Sequence, residues 1–323
     1  MGLRSKHAAT PALAAPLNRS VFHAEPWRYS GPRPGVAPRA VLFFHIHKCG
    51  GASVVHWLSR HNPAFTVKLD YRLSEIFLGI HHQHFPRFRK LREKWDLPDW
   101  QNESIFVEFH SWSLGFYVHD VLPQLQALRA AYRAAGGRLV AFTVLREPRT
   151  HITSFYEMWP QYMCATNSSG DRSCGLRPFS SFLRDANGLQ TRILGGYHDN
   201  KWLPLGGQWR NHSRAHKPFE CEPVSDHYPN ATERAMKVLR SFDMIGDLGH
   251  MDDLARRVAA CSGLQLKKNV PHISERHSHL LTAADYTLPA LEHAAACDDQ
   301  LRAAARRLLV ASAGGSDCNT LGP

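Results

Sequence analysis

AVLFFHIHKCGGASVVHWL, residues 40–58, is the stretch on which the fold turns. Val41 to Phe44 is an apolar run of a length that suits one buried strand. It gives way to a basic, glycine-bearing turn, His47-Lys48-Cys49-Gly50-Gly51, and then to Val54, Val55 and Leu58 at helical spacing. Strand, glycine turn and helix start together make an anion cradle. The glycines let backbone N–H groups approach closely, and the helix N-terminus adds unpaired donors and partial positive charge. Lys48 adds a full charge. The plainer reading is an ordinary strand-to-helix turn. The turn lacks the nucleotide-triphosphatase pattern, because Lys48 precedes both glycines and no Ser or Thr follows it to hold magnesium. The dinucleotide fingerprint G-x-G-x-x-G is absent too.

Working outward, two more strands end in chemistry. Ser104–Phe109 (SIFVEF) predicts a core strand running into His110, where a general base belongs at the carboxyl edge of an open sheet. Arg138–Leu145 (RLVAFTVL) predicts another, ending in Arg146-Glu147-Pro148, with Pro148 opening a helix. Ser154 lies on that helix eight residues past Arg146. An Arg fork and a facing hydroxyl can hold one phosphate; the alternative is Arg146 paired with Glu147 and Ser154 satisfied by its own helix. Shorter strands are expected at Phe65–Leu69 and Phe242–Ile245. Helices are expected at Asp120–Ala135, around Asn187–Leu194, at Ala231–Arg240 and Met251–Cys261, with two closing helices near 282–297 and 298–311. The alternation predicts an α/β fold, P-loop-like and three-layered, with a central mostly parallel sheet flanked by helices. Residues 1–38 read as a leader, 39–312 as the domain, 160–228 as a loop-rich insertion on the acceptor side, and 313–323 as a tail.

The chain has 323 residues and a formal net charge of +11, which favours an anionic partner. No Lys/Arg block with interleaved aromatics marks a nucleic-acid face, so none is expected as partner. The His81-His82-Gln83-His84 patch reads as a solvated cluster, and no metal site is expected. No run approaches the roughly 20 apolar residues of a membrane span, so no membrane anchor is visible. The basic N-terminus, whose first acid is Glu25, resembles an organellar transit leader or the remnant of a longer protein. Lys6 breaks the myristoylation pattern. Five glycosylation sequons, at Asn18, Asn102, Asn167, Asn211 and Asn230, point instead to a lumenal or secreted setting. Among seven cysteines, Cys164 with Cys174 and Cys261 with Cys297 are possible bridges, the alternative being buried thiols.

The two cradles carry a resemblance. FFHIHKCGGASV resembles the 5′-phosphosulfate loop of sulfotransferases that use 3′-phosphoadenosine-5′-phosphosulfate, and VLREPRTHITSFY resembles their 3′-phosphate site. FHSWS, GLQTRILGG and LKKNVPHIS are similar to further segments of the Golgi carbohydrate enzymes, above all the heparan sulfate 2-O and 6-O type. The resemblance spans about residues 40–311. It implies that Lys48 contacts the oxygen bridging phosphate and sulfate, that Gly50, Gly51, Ala52 and Ser53 cradle the donor, and that Arg146 and Ser154 hold its 3′-phosphate. It implies His110 as the base, Asn269 and Ser274 in a donor-binding loop, and Gln190 and Arg192 in a motif on the acceptor side. Trp112 and Trp159 can stack on sugar rings or pack in the core. Cys49 and Ala52 stand where the family usually has Thr, which implies weaker donor binding, and Cys49 is a candidate for oxidation.

The implied reaction is sulfuryl transfer to a sugar hydroxyl, with a glycosaminoglycan-like or other acidic glycan as acceptor. No metal is required, since sulfate brings fewer charges to neutralise. Golgi or secretory localisation follows from the same likeness. Two rivals stand: a small-molecule kinase with an atypical loop, for which Glu108 or Glu147 would have to hold magnesium, and a lectin-like binder without turnover.

Overall fold

The computed structural model describes residues 35–61, 65, 67–69, 104–110, 114, 117–165, 178–195, 231–265, 270 and 281–313. Five strands form its sheet: β1 (Arg39–His45), β2 (Val67–Leu69), β3 (Ile105–His110), β4 (Arg138–Leu145) and β5 (Met244–Asp247). Their order is β2-β3-β1-β4-β5, and every pairing is parallel. The near-continuous apolar strands follow from burial on both faces. Helix α1 (Gly51–His61) covers the face that carries His45, and α7 (Met251–Ser262) packs Leu254 onto Gly246 of the same face. Tyr117 covers the opposite face, edge-on to Phe44 and Phe109 and stacked on Phe242. The result is the expected α/β fold with helices on both sides of the sheet. After β1 the chain steps outward to β2, whereas β4 lies on the other side of β1. The crevice beyond β1 is therefore the switch point at which open α/β sheets take ligands.

Several boundaries differ from expectation. The helix expected from Asp120 begins as α2 only at Leu125 and ends at Ala134. A π turn (Tyr117–Val121) and a 3-10 turn (Leu122–Gln124) precede it, because Pro123 cannot supply an interior helix N–H. Helix α3 (Pro148–Ala165) starts at the expected proline and is capped by Glu147, which accepts from the N–H groups of Arg149 (3.1 Å) and Thr150 (2.7 Å). Helices α4 (Phe179–Asp185) and α5 (Leu189–Leu194) lie within the expected insertion. They are part of a second apolar cluster in which Phe155, Phe182, Leu189 and Leu291 meet. Helix α6 (Ala231–Ser241) matches expectation, and β5 runs two residues later than expected.

The chain closes on one helix, α8 (Pro289–Ala313), where two were expected. The break was expected at Asp298. Inside the continuous helix, Asp298 instead turns its carboxylate to the start of α5. It accepts from Gln190 N (3.0 Å), Thr191 N (2.8 Å) and Thr191 Oγ1 (2.8 Å). A buried acid with three donors is satisfied where a solvated one would invite a turn. Burial still pushes its pKa up, against the pull of those donors.

Cys261 and Cys297, expected as a possible bridge, are both disulfide-bonded. The carbonyl of Cys261 accepts from Arg138 (3.4 Å), which opens β4. Cys297 Sγ lies 3.5 Å from Asn187, and its neighbour Asp298 reaches Gln190, which clasps Arg146 beyond the far end of β4. The Cys164–Cys174 pairing, the His81–His84 patch and the sequons fall outside the described residues. Among the described residues, no helix is long and apolar enough to cross a membrane.

Candidate functional site

The cradle is a tight turn from Ile46 to Gly50, closed by Cys49 N–H donating to Ile46 O (3.1 Å). Lys48 sits at φ 62° and Gly50 at φ 79°. A left-handed lysine is uncommon and costs free energy, so the surrounding packing must hold it there. Gly51 is a close-approach position. A Cβ on it would fall 1.8 Å from Cε1 and Nε2 of His45, so only glycine lets that ring lie over the start of α1. The first N–H groups of α1, from Gly51, Ala52 and Ser53, open onto this turn as an eleven-residue helix begins.

The second cradle meets the first directly. Arg146, just past β4, donates from Nη1 to the carbonyl of Lys48 (3.1 Å) and from Nε to Thr150 Oγ1 (3.2 Å). Glu147 is not its partner, being engaged with Arg149 (3.0 Å) and the α3 cap. Gln190 clasps the peptide of Arg146 from both sides, accepting from its N–H (3.0 Å) and donating to its carbonyl (3.0 Å). The thiol of Cys49 also points at Gln190 Oε1 (3.7 Å). Ser154, on α3, is 2% exposed, and its hydroxyl is buried with no hydrogen-bond partner among the described residues. A buried hydroxyl without a partner is costly.

No family model matches the chain, and no curated protein matches it. Among solved structures, a sulfotransferase from Alicyclobacillus acidocaldarius is similar over 86% of this chain and 96% of its own, at 13% identity and a TM-score of 0.40. A likeness that distant leaves the chemistry to be argued from the crevice itself.

His110 ends β3 beside the cradle. Its ring lies against both His45 (centroids 4.3 Å apart) and His47 (4.1 Å), which are 6.4 Å from each other. Burial, then the neighbouring imidazoles of His47 and His45, hold its pKa well below the ordinary histidine value. Burial first, then His45, His151 and Lys48, bring His47 down to about 3. His151, on α3, donates from Nε2 to the carbonyl of His47 (2.7 Å), and burial brings it to about 4. At neutral pH these three imidazoles are uncharged, so each can accept a proton.

The structure thus brings together Lys48, Cys49, Gly50, Gly51, Ala52, Ser53 and Arg146 around one crevice, with His110 at its side and Ser154 buried on α3. Gln190 (1% exposed) and Arg192 (5%), expected toward the acceptor, are buried, and Gln190 spends its amide on Arg146. Cys49 is fully buried and burial pushes its thiol pKa up. This argues against the oxidation expected of it, which needs an accessible thiolate. Trp112, Asn269, Ser274 and the side chain of Trp159 lie outside the described residues. Reading the sequence missed His45, His47 and His151. The His-x-His at the end of β1 and the i, i+3 spacing of His151 to Ser154 were the available signals. Glu108, one of two carboxylates open to a kinase reading, is 2% exposed and bonded to His45 (2.5 Å). The other, Glu147, is the α3 cap.

Proposed function

We propose that the protein is a sulfotransferase, moving a sulfuryl group from 3′-phosphoadenosine-5′-phosphosulfate to a hydroxyl of an acidic glycan. One observation carries this reading: the Arg146 guanidinium bonds the carbonyl of Lys48, so two anion-holding elements serve one crevice. A donor with phosphate at both ends needs that pair. Lys48 and the α1 N–H groups receive the 5′-phosphosulfate, while Arg146 and Ser154 receive the 3′-phosphate. The acceptor oxygen attacks sulfur as the bond from sulfur to the bridging oxygen breaks. The hydroxyl proton passes to His110, which burial keeps uncharged and ready. Negative charge grows on the departing phosphate, where Lys48 and the N–H groups are aimed.

The net charge of +11 supports an anionic acceptor. The two disulfide-bonded cysteines support an oxidising compartment such as the Golgi lumen. The test is transfer of radiolabelled sulfate from the donor to a panel of glycans, by wild type, Lys48→Ala and His110→Ala. We expect transfer to acidic glycans, with an acceptor KM that rises with salt, and loss of turnover in both variants. Equal transfer by all three proteins would overturn the roles. Magnesium-dependent use of ATP with no sulfate transfer would replace the reading with the kinase.

A further inference from the structure

Besides His47, the His110 ring lies against a residue with no place in the proposed transfer, His45. Parallel pairing sets His45 opposite His110 and Phe43 opposite Glu108, so all four side chains share one face. His45 is held three ways. Its Nδ1 bonds Glu108 Oε1 at 2.5 Å, its ring stacks on Phe43 (5.3 Å), and its outer edge fills the space above Gly51. A buried carboxylate bound to one ring nitrogen fixes both the tautomer and the plane of an imidazole.

We propose that His45, anchored by Glu108, is a positioning residue that holds the His110 ring in place as the proton acceptor. The proposal rests on the sulfotransferase reading for its chemistry, though not for its geometry. His45 touches neither donor nor acceptor. It presents a fixed wall against which His110 packs, with His47 as a second contact beside it. No covalent step occurs on it, and the proton stays on His110. Among the described residues, the rings facing His110 are His45 from β1 and His47 from the turn. Behind them stand Glu108 on β3, Lys48 and, from α3, His151. His45 also opposes positive charge on His110, which favours the unprotonated ring that proton removal needs.

The test compares His45→Asn, which keeps a donor near the Nδ1 position but removes the ring, with Glu108→Leu and Glu108→Gln. His45→Asn and Glu108→Leu should lower kcat by about tenfold or more with donor KM within about twofold. Glu108→Gln, still able to accept from Nδ1, should recover most of the rate. The acid limb of the kcat profile should move to higher pH in His45→Asn, because one opposing imidazole is gone. An NMR titration of the His110 ring should move the same way, and it needs no turnover. If the wild type transfers no sulfate, the functional reading fails while the titration still judges the coupling. If the titration and kcat of His45→Asn match wild type, or if all the loss lies in donor KM, the positioning role is wrong. Should Glu108→Leu fail to fold, His45→Asn decides alone.

Discussion

Gly51→Ala is the sharpest probe of the crevice. Its new methyl would lie 1.8 Å from two atoms of the His45 ring and 2.3 Å from a third. An end-of-chain ring can usually swing aside, but this one is tied to Glu108 at 2.5 Å and packed against Phe43 and His110. Overpacking of this kind costs about 1–3 kcal/mol. Breaking the buried Glu108 bond costs a further about 1–3 kcal/mol. Alanine in the first turn of α1 returns up to about 1 kcal/mol through lower chain entropy. The net expectation is a loss of about 1–6 kcal/mol, read as a fall in the urea midpoint at unchanged slope. The decisive experiment repeats the substitution in a His45→Ala background. With the ring absent, Gly51→Ala should be neutral or stabilising by up to about 1 kcal/mol, giving a coupling of about 2–6 kcal/mol between the two sites. Equal cost in both backgrounds, within about 0.5 kcal/mol, would refute the contact.

The same geometry sets three other outcomes. Arg146→Gln should raise donor KM about 10- to 100-fold, the worth of a charged hydrogen bond, with a smaller change in kcat, measured by initial rates against donor concentration. Asp298→Ala should cost about 3 kcal/mol in chemical denaturation, because three donors at the start of α5 lose their acceptor, and Asp298→Asn should cost less. Stability should also fall as pH drops from about 6.5 toward about 4. In that window His47 (folded value about 3) and His151 (about 4) take protons only in the unfolded chain, and a state that binds more protons is favoured by acid. Urea midpoints across that range should show a slope that flattens in His47→Gln.

What could be read beforehand was what leaves a local mark. The cores of β1, β3 and β4 are apolar runs of six to eight residues that end at His45, His110 and Leu145, and such runs are visible without a partner. Pro148 announced α3 because proline is tolerated only in a first turn. Arg146 and Ser154 were singled out by spacing, and the fold sets Arg146 against the Lys48 turn. The continuity of α8 was invisible, because what steadies Asp298 in mid-helix is a helix start 108 residues earlier. The histidine stack was hidden for a related reason. His45 and His110 are adjacent only once β1 and β3 pair in register, and no pattern within either strand states that register.

The clasp of Gln190 on Arg146 has a consequence for how the protein is made. Gln190 is held in turn by Asp298, so the crevice begun at residues 46–51 is completed by a side chain near the end of the chain. A nascent polypeptide that has left the ribosome only as far as β5 already owns every strand of the sheet, yet α5 has no carboxylate at its start and Gln190 nothing to brace it. Donor affinity should therefore arise late in synthesis, in a single step, when α8 docks.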